Sequence, residues 1–192
     1  MKRTIVFVLI AVLSLGVMSA CGKKESENAQ PAQANLTGKE VEVVYEYASQ
    51  TARGSVALPE CGGIDEEKEQ VEDKGGNFIN IYATANKEVY CDVELYLSVV
   101  KKDVQEKTLA GKRDAAEGKA KKMEIGGCEA CLYENSKDSN RCRTYYIYTT
   151  DSQKNIVEME VYLQDAFSDL SKEEWAEICK AVESTTKILF DK

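Results

Sequence analysis

Alternation of apolar and polar residues, the signature of a half-buried strand, runs through much of the chain between Lys39 and Asp165. In "KEVEVVYEYAS" Val41, Val43, Tyr45 and Tyr47 share one phase, which predicts an early strand. "ARGSVALPECGG" predicts a short strand stopped by Pro59, Gly62 and Gly63. "GGNFINIYATANKEVYCDVELYLSVV" predicts two strands meeting around Ala85, Asn86 and Lys87. In the second of these Val89, Cys91, Val93, Leu95 and Leu97 lie on one face, with Asp92 and Glu94 on the other. "KKDVQEKTLAGKRDAAEGKAKKM" loses the alternation and is rich in charge and alanine, so it predicts a helix. Its apolar stripe (Val104, Thr108, Ala115) is thin and Gly111 and Gly118 weaken it, so the expectation is a helix covering an outer surface.

Three strands are expected next, in "MEIGGCEACLYEN", "RCRTYYIYTT" and "NIVEMEVYLQD". In the last, Val157, Met159, Val161 and Leu163 alternate with Glu158, Glu160 and Tyr162. "SDLSKEEWAEICKAVESTTKILF" predicts the closing helix: Ser171 and Glu174 have capping-box spacing, and Trp175, Ile178, Cys179 and Val182 form one face. This order predicts an α+β fold, an antiparallel β-sheet flanked by helices with the C-terminal helix packed on the sheet. Three stretches, "GSVALPE", "MEIGGCEACLYE" as an I-x-G-x-x-A strand, and "ICKAVESTTKI", resemble the PsbP-like family over residues 54–190. The resemblance implies a sheet sandwiched by helices. That fold has no shared catalytic residues, so it implies no catalytic site.

The front of the chain follows another rule. Lys2 and Arg3 precede an apolar run from Ile5 to Leu15, and small residues follow. A positive start, a short apolar core and a small-residue exit describe a secretory signal, and the run is shorter than the ~20 residues a membrane-spanning helix needs. "MSAC" resembles the lipobox of bacterial lipoproteins in Ser19, Ala20 and Cys21, with Met18 where leucine is usual. That resemblance implies cleavage before Cys21, lipidation of Cys21, and a membrane partner held through acyl chains on the extracytoplasmic face; stable anchoring takes more than one such chain. "GKKESENAQPAQANLTG" is polar and carries Pro31, as a flexible tether does. The expected organisation is therefore signal peptide 1–20, lipid-anchored linker 21–38, and a single α+β domain 39–192.

Charge and composition narrow the function. The net charge is −8, and loss of residues 1–20 removes Lys2 and Arg3 but no acid, leaving −10. Such a surface repels phosphate backbones, so nucleic acid is not expected as a partner. The sequence has no histidine, which excludes imidazole acid–base chemistry, Ser-His and Cys-His nucleophiles and histidine-ligated zinc. "IDEEKEQVED" lacks the ligand spacing of a calcium loop and is expected to be a solvated loop or helix face.

Six cysteines follow Cys21: Cys61, Cys91, Cys128, Cys131, Cys142 and Cys179. An even count in an exported chain favours a disulfide, with fifteen possible pairings and Cys61 to one of Cys128, Cys131 or Cys142 the expected one. Cys128 and Cys131 have Cys-x-x-Cys spacing, but no helix follows to lower a thiol pKa. If the hairpin turns at Asp138 and Ser139, Ala130 faces Ile147 and Leu132 faces Tyr145. Cys128 then joins the core face, and Cys131 lies on the other face, about four residues (on the order of 13 Å) from Cys142 along the ladder. Tyr133, Tyr146, Tyr148 and Tyr162 share that outer face, as a contact surface or as a cluster under a helix. The expectation is a non-enzymatic, cofactor-free surface lipoprotein that binds a protein or small ligand. The alternative is a thiol–disulfide or metal-handling protein using Cys128 and Cys131.

Overall fold

A computed structural model describes residues 39–59, 63–67, 70–71, 74–82, 90–113, 118–137, 140–165 and 170–191. Residues 1–38, for which a signal peptide and linker are expected, together with Cys61, the expected turns at 85–87 and 138–139, Val89 and Ala115, lie outside the described residues. The strands are β1 (Lys39–Tyr47), β2 (Gln50–Leu58), β3 (Gly63–Glu67), β4 (Gln70–Val71), β5 (Lys74–Tyr82), β6 (Tyr90–Val100), β7 (Lys119–Ile125), β8 (Cys128–Lys137), β9 (Asn140–Thr150), β10 (Ile156–Asp165) and β11 (Lys187–Phe190). The helices are α1 (Lys102–Leu109) and α2 (Lys172–Thr185).

An eight-stranded antiparallel sheet runs β3-β5-β6-β10-β9-β8-β7, with β4 also pairing with β5. Val93, Leu95 and Leu97 of β6, Val157, Met159, Val161 and Leu163 of β10, and Tyr145 and Ile147 of β9 make its inner face, all essentially buried. A second antiparallel sheet, β1-β2-β11, supplies Val41, Val43, Ala52, Val56 and Leu58 to the same core. α2 completes that layer with Trp175, Ile178, Cys179 and Val182. The fold is thus mixed α+β, with α2 on the inner side of the large sheet and α1 over its outer side. The three-stranded second sheet was not expected.

Two glycines let the layers approach. Gly75 of β5 stands opposite Leu97 on the inner face, and a Cβ there would lie 2.2 Å from the carbonyl oxygen of Val44 in β1. Gly54 of β2 sits over Met159 and Leu97, where a Cβ would lie 2.8 Å from the Met159 sulfur. The backbone contact at Gly75 is open only to a residue without a side chain.

The strand predicted in "KEVEVVYEYAS" and that in "NIVEMEVYLQD" form with Val41, Val43, Val157, Met159, Val161 and Leu163 inward, and strands also form in "ARGSVALPECGG" and "RCRTYYIYTT". The capping box is present: Ser171 Oγ accepts from the Glu174 N–H at 3.1 Å, and Glu174 Oε2 accepts from the Ser171 N–H at 2.8 Å. Four expectations are corrected. The helix predicted over 101–123 ends at Leu109, and Lys119–Ile125 is an edge strand beside β8. "MEIGGCEACLYEN" is two strands, because Gly126 (φ 58°) and Gly127 (φ 79°) turn the chain into the β7–β8 hairpin. The acidic run at 64–73 contributes strands β3 and β4. The last four residues assigned to the closing helix form β11, after Thr185 Oγ1 accepts from the N–H of Ala57 at 2.9 Å and so ties the helix end to β2.

Candidate functional site

The outer face of the large sheet carries the candidate site. On β9 the even-numbered residues point outward, opposite those of β8 and β10: Tyr146 pairs with Cys131 and Glu160, Tyr148 with Glu129 and Glu158, and Thr144 with Tyr133 and Tyr162. The four tyrosines named from the alternation therefore do share a face. Tyr133, Tyr146 and Tyr148 are buried, whereas Tyr162 is half-buried. α1 and the residues after it cover the first three, the arrangement expected of a cluster under a helix. Leu109 packs against them, and the buried Thr108 carbonyl accepts from Tyr133 Oη at 3.2 Å.

Inside this cover is a compact polar cluster. The Arg113 guanidinium lies 4.0 Å from the centre of the Tyr146 ring and 3.0 Å from Glu158 Oε2. Tyr148 Oη donates to the same carboxylate oxygen at 2.5 Å. Tyr133 stands edge-on to Tyr146 (centroids 5.8 Å apart, 83° between planes) and accepts the Arg113 backbone N–H at 3.2 Å. Glu158 is 4% exposed. Burial and the adjacent Glu158 charge push the Tyr148 hydroxyl pKa well above its ordinary value. Burial is the largest influence on Arg113 and opposes its charge, but Glu158, Tyr146, Glu160 and Tyr148 together outweigh it, and the net shift is upward. Neither Arg113 nor Glu158 is singled out by the sequence. The available signal for Glu158 is its place on the tyrosine-bearing phase of β10; nothing local marks Arg113.

The rest of the outer face is less covered. Asp92, Glu94 and Tyr96 of β6 and Glu160, Tyr162 and Gln164 of β10 are half-buried, and Lys74 Nζ lies 3.7 Å from the centre of the Tyr96 ring. Burial, then the charges around Cys142, Glu94 and Asp92, push the Tyr162 hydroxyl up to about 12. It stays a neutral donor at physiological pH.

Among the described residues the cysteines do not form a common site. Cys91, Cys128, Cys131, Cys142 and Cys179 are all free thiols. Cys128 packs against the inner core and Cys131 joins the outer tyrosine cluster, so the Cys-x-x-Cys pair straddles β8. Cys142 pairs with Asn135, four residues along β8 from Cys131, in the predicted register. Burial raises the thiol pKa of Cys131 and of Cys142. Among the described residues no group of three or more cysteine and acidic side chains is positioned to hold a metal ion. Cys91 and Cys179 are buried in the inner core; burial pushes Cys91 well up and Cys179 to about 11.

Two arginines brace α2 against the sheet. Arg141 pairs with the fully buried Asp165, donates to the Leu170 carbonyl and lies 5.3 Å from the Trp175 ring centre. Arg143 bonds Glu134 at 2.8 Å and lies 3.5 Å from Glu183, which also accepts from Tyr145 Oη at 3.0 Å. Each spans strand and helix, as expected of a positioning contact.

These observations define a mixed α+β domain whose outer sheet face holds a buried cation–aromatic–carboxylate cluster beside a half-buried acidic and tyrosine-bearing strip. No protein-family model matches the chain, and no curated protein matches it. Among solved structures the chain is similar to a crystal structure of LpqN, described as involved in cell envelope biogenesis of Mycobacterium tuberculosis. The TM-score is 0.55 and the identity 13%, over 78% of this chain and 90% of that one. At that identity the likeness is one of fold.

Proposed function

We propose that this chain is a bacterial envelope lipoprotein, held by acyl chains on Cys21 at the extracytoplasmic face, whose folded domain is a non-catalytic binding module. The observation that carries the reading is the Ser19-Ala20-Cys21 sequence placed after an apolar run and before a polar stretch that leads into the domain. The fold likeness to LpqN, a protein of cell envelope biogenesis, supports the same setting. The placement of helices on both sides of the large sheet supports the PsbP-like layout. The half-buried strip around Tyr96 and Tyr162 is the surface offered to a protein or small ligand; its acids make a nucleic acid partner unfavourable.

The experiment is fatty-acid labelling and membrane fractionation of the full chain and of Cys21→Ala, expressed in a bacterium. Wild type should incorporate label and fractionate with membranes, and Cys21→Ala should lose the label and accumulate uncleaved. Equal labelling of both would refute the anchor. A photo-crosslinker at position 162 should give a defined adduct in intact envelopes that the same group at Lys154, in a turn remote from the strip, does not.

A further inference from the structure

The cluster beneath α1 is built like a receptor for a cation. It offers the face of Tyr146, an upright wall in Tyr133, and a carboxylate, Glu158, oriented by a hydrogen bond from Tyr148. Cations are held over aromatic faces through the ring quadrupole, and more strongly where water is excluded. A planar guanidinium both stacks on such a ring and bonds a carboxylate through fixed N–H groups. In this structure the cation belongs to the chain itself. Arg113 is carried on the segment after α1, and its side chain is 30% exposed, whereas that of Glu158 is 5% exposed.

The segment carrying Arg113 is lightly held. α1 has eight residues, and its N-cap Lys101 makes no side-chain capping bond. A helix of that length is marginal without tertiary support. Only Thr108 of the helix is buried, and Gly111, at φ 70°, separates the helix from Arg113. The ties from this segment to the sheet include Leu109, the two bonds made by Tyr133, a side-chain hydrogen bond between Thr108 and Tyr148, and Arg113 itself. The receptor groups, in contrast, sit on central strands β8, β9 and β10.

We propose that Tyr133, Tyr146, Tyr148 and Glu158 form a binding site for a guanidinium-bearing ligand, and that Arg113 occupies it as an internal, displaceable ligand. An arginine side chain on a peptide and a small alkylguanidinium present the same group to this site. The site is independent of the anchor at Cys21 and of the strip around Tyr162.

Chemical rescue tests it. Thermal unfolding of the full chain in detergent is followed for wild type, Arg113→Ala and Arg113→Ala/Glu158→Gln, with ethylguanidinium chloride as probe and ethylammonium chloride as control salt. Arg113→Ala should unfold at lower temperature. Ethylguanidinium at about ten times its Kd should return about 3–5 °C to it, relative to any change in wild type. The double variant should show no such gain, since the carboxylate that holds the cation is gone. Arg113→Gln, which keeps a donor toward Glu158, gives the same comparison where the alanine variant does not fold. Equal responses in the Arg113 variant and wild type, or an undiminished gain without the Glu158 carboxylate, would overturn the site.

Discussion

Replacing Gly75 by alanine tests how the two sheets are stacked. Neither Gly75 nor Gly54 has a positive φ, and both lie within strands, so alanine is locally acceptable at each. The difference is what the new methyl meets. At position 75 it would stand 2.2 Å from the Val44 carbonyl oxygen and 2.9 Å from its carbon, both backbone atoms of β1. At position 54 it would stand 2.8 Å from the sulfur and 3.1 Å from the methyl of Met159, the end of a flexible side chain. Relieving the first contact takes a backbone shift of roughly 1 Å in a close-packed interior, and overpacking of this kind costs about 1–3 kcal/mol. Alanine also restricts the unfolded chain, which offsets about 0.4–1 kcal/mol. The net expectation for Gly75→Ala is a loss of about 1–2 kcal/mol, or a Tm lower by about 2–8 °C for a domain of this size. Gly54→Ala should lose less, because Met159 has three rotatable bonds with which to repack. Urea denaturation followed by circular dichroism gives both values at unchanged m. A Gly75→Ala protein as stable as wild type, or Gly54→Ala the more damaged of the two, would refute the seating of β1 on β5.

The remaining predictions concern titration and thiol access. Burial pushes the Asp151 carboxyl up, but acceptance from Asn155 Nδ2, the N–H groups of Gln153 and Asn155 (each 2.8 Å) and Tyr47 Oη (2.9 Å) outweighs it and holds the pKa below the ordinary carboxylate value. A depressed folded-state pKa contributes stability that is complete above the unfolded value, about 4, and is lost as pH falls through the folded one. Urea midpoints measured from pH 7 to 2 should therefore drop less below pH 4 in Asp151→Asn than in wild type, from a lower starting value; parallel curves would count against the assignment. In the reduced native protein, iodoacetamide at pH 8 should modify the half-buried Cys128 and Cys142 well before the buried Cys91, Cys131 and Cys179, as read by peptide mass spectrometry. Labelling of Cys179 as fast as Cys128 would place α2 elsewhere.

Legibility in the sequence followed the range of the forces involved. The β8–β9 register was readable because Ala130, Leu132, Tyr145 and Ile147 must share the core face, and a slip of one residue would expose them all. The same parity placed Cys128 and Cys131 on opposite faces and the four tyrosines together. The capping box of α2 was readable because both its bonds are local. β11 was not, since "KILF" is too short to show a period and is held by pairing with Ala52–Ser55 of a strand more than a hundred residues earlier. The end of α1 was hidden for the related reason that "KAKKMEI" reads as well on a helix; its place beside β8 makes it a strand.

By itself, then, the sequence determined the strand phases and the cap of the final helix. Each depends on residue type or on neighbours within a few positions. Only the tertiary structure decided that a second sheet covers the first, that three of the four tyrosines are roofed by α1, and that Arg113 meets Glu158 over Tyr146. Arg113 and Glu158 lie 45 residues apart along the chain, and their meeting depends on sheet order and layer packing, which no local pattern encodes.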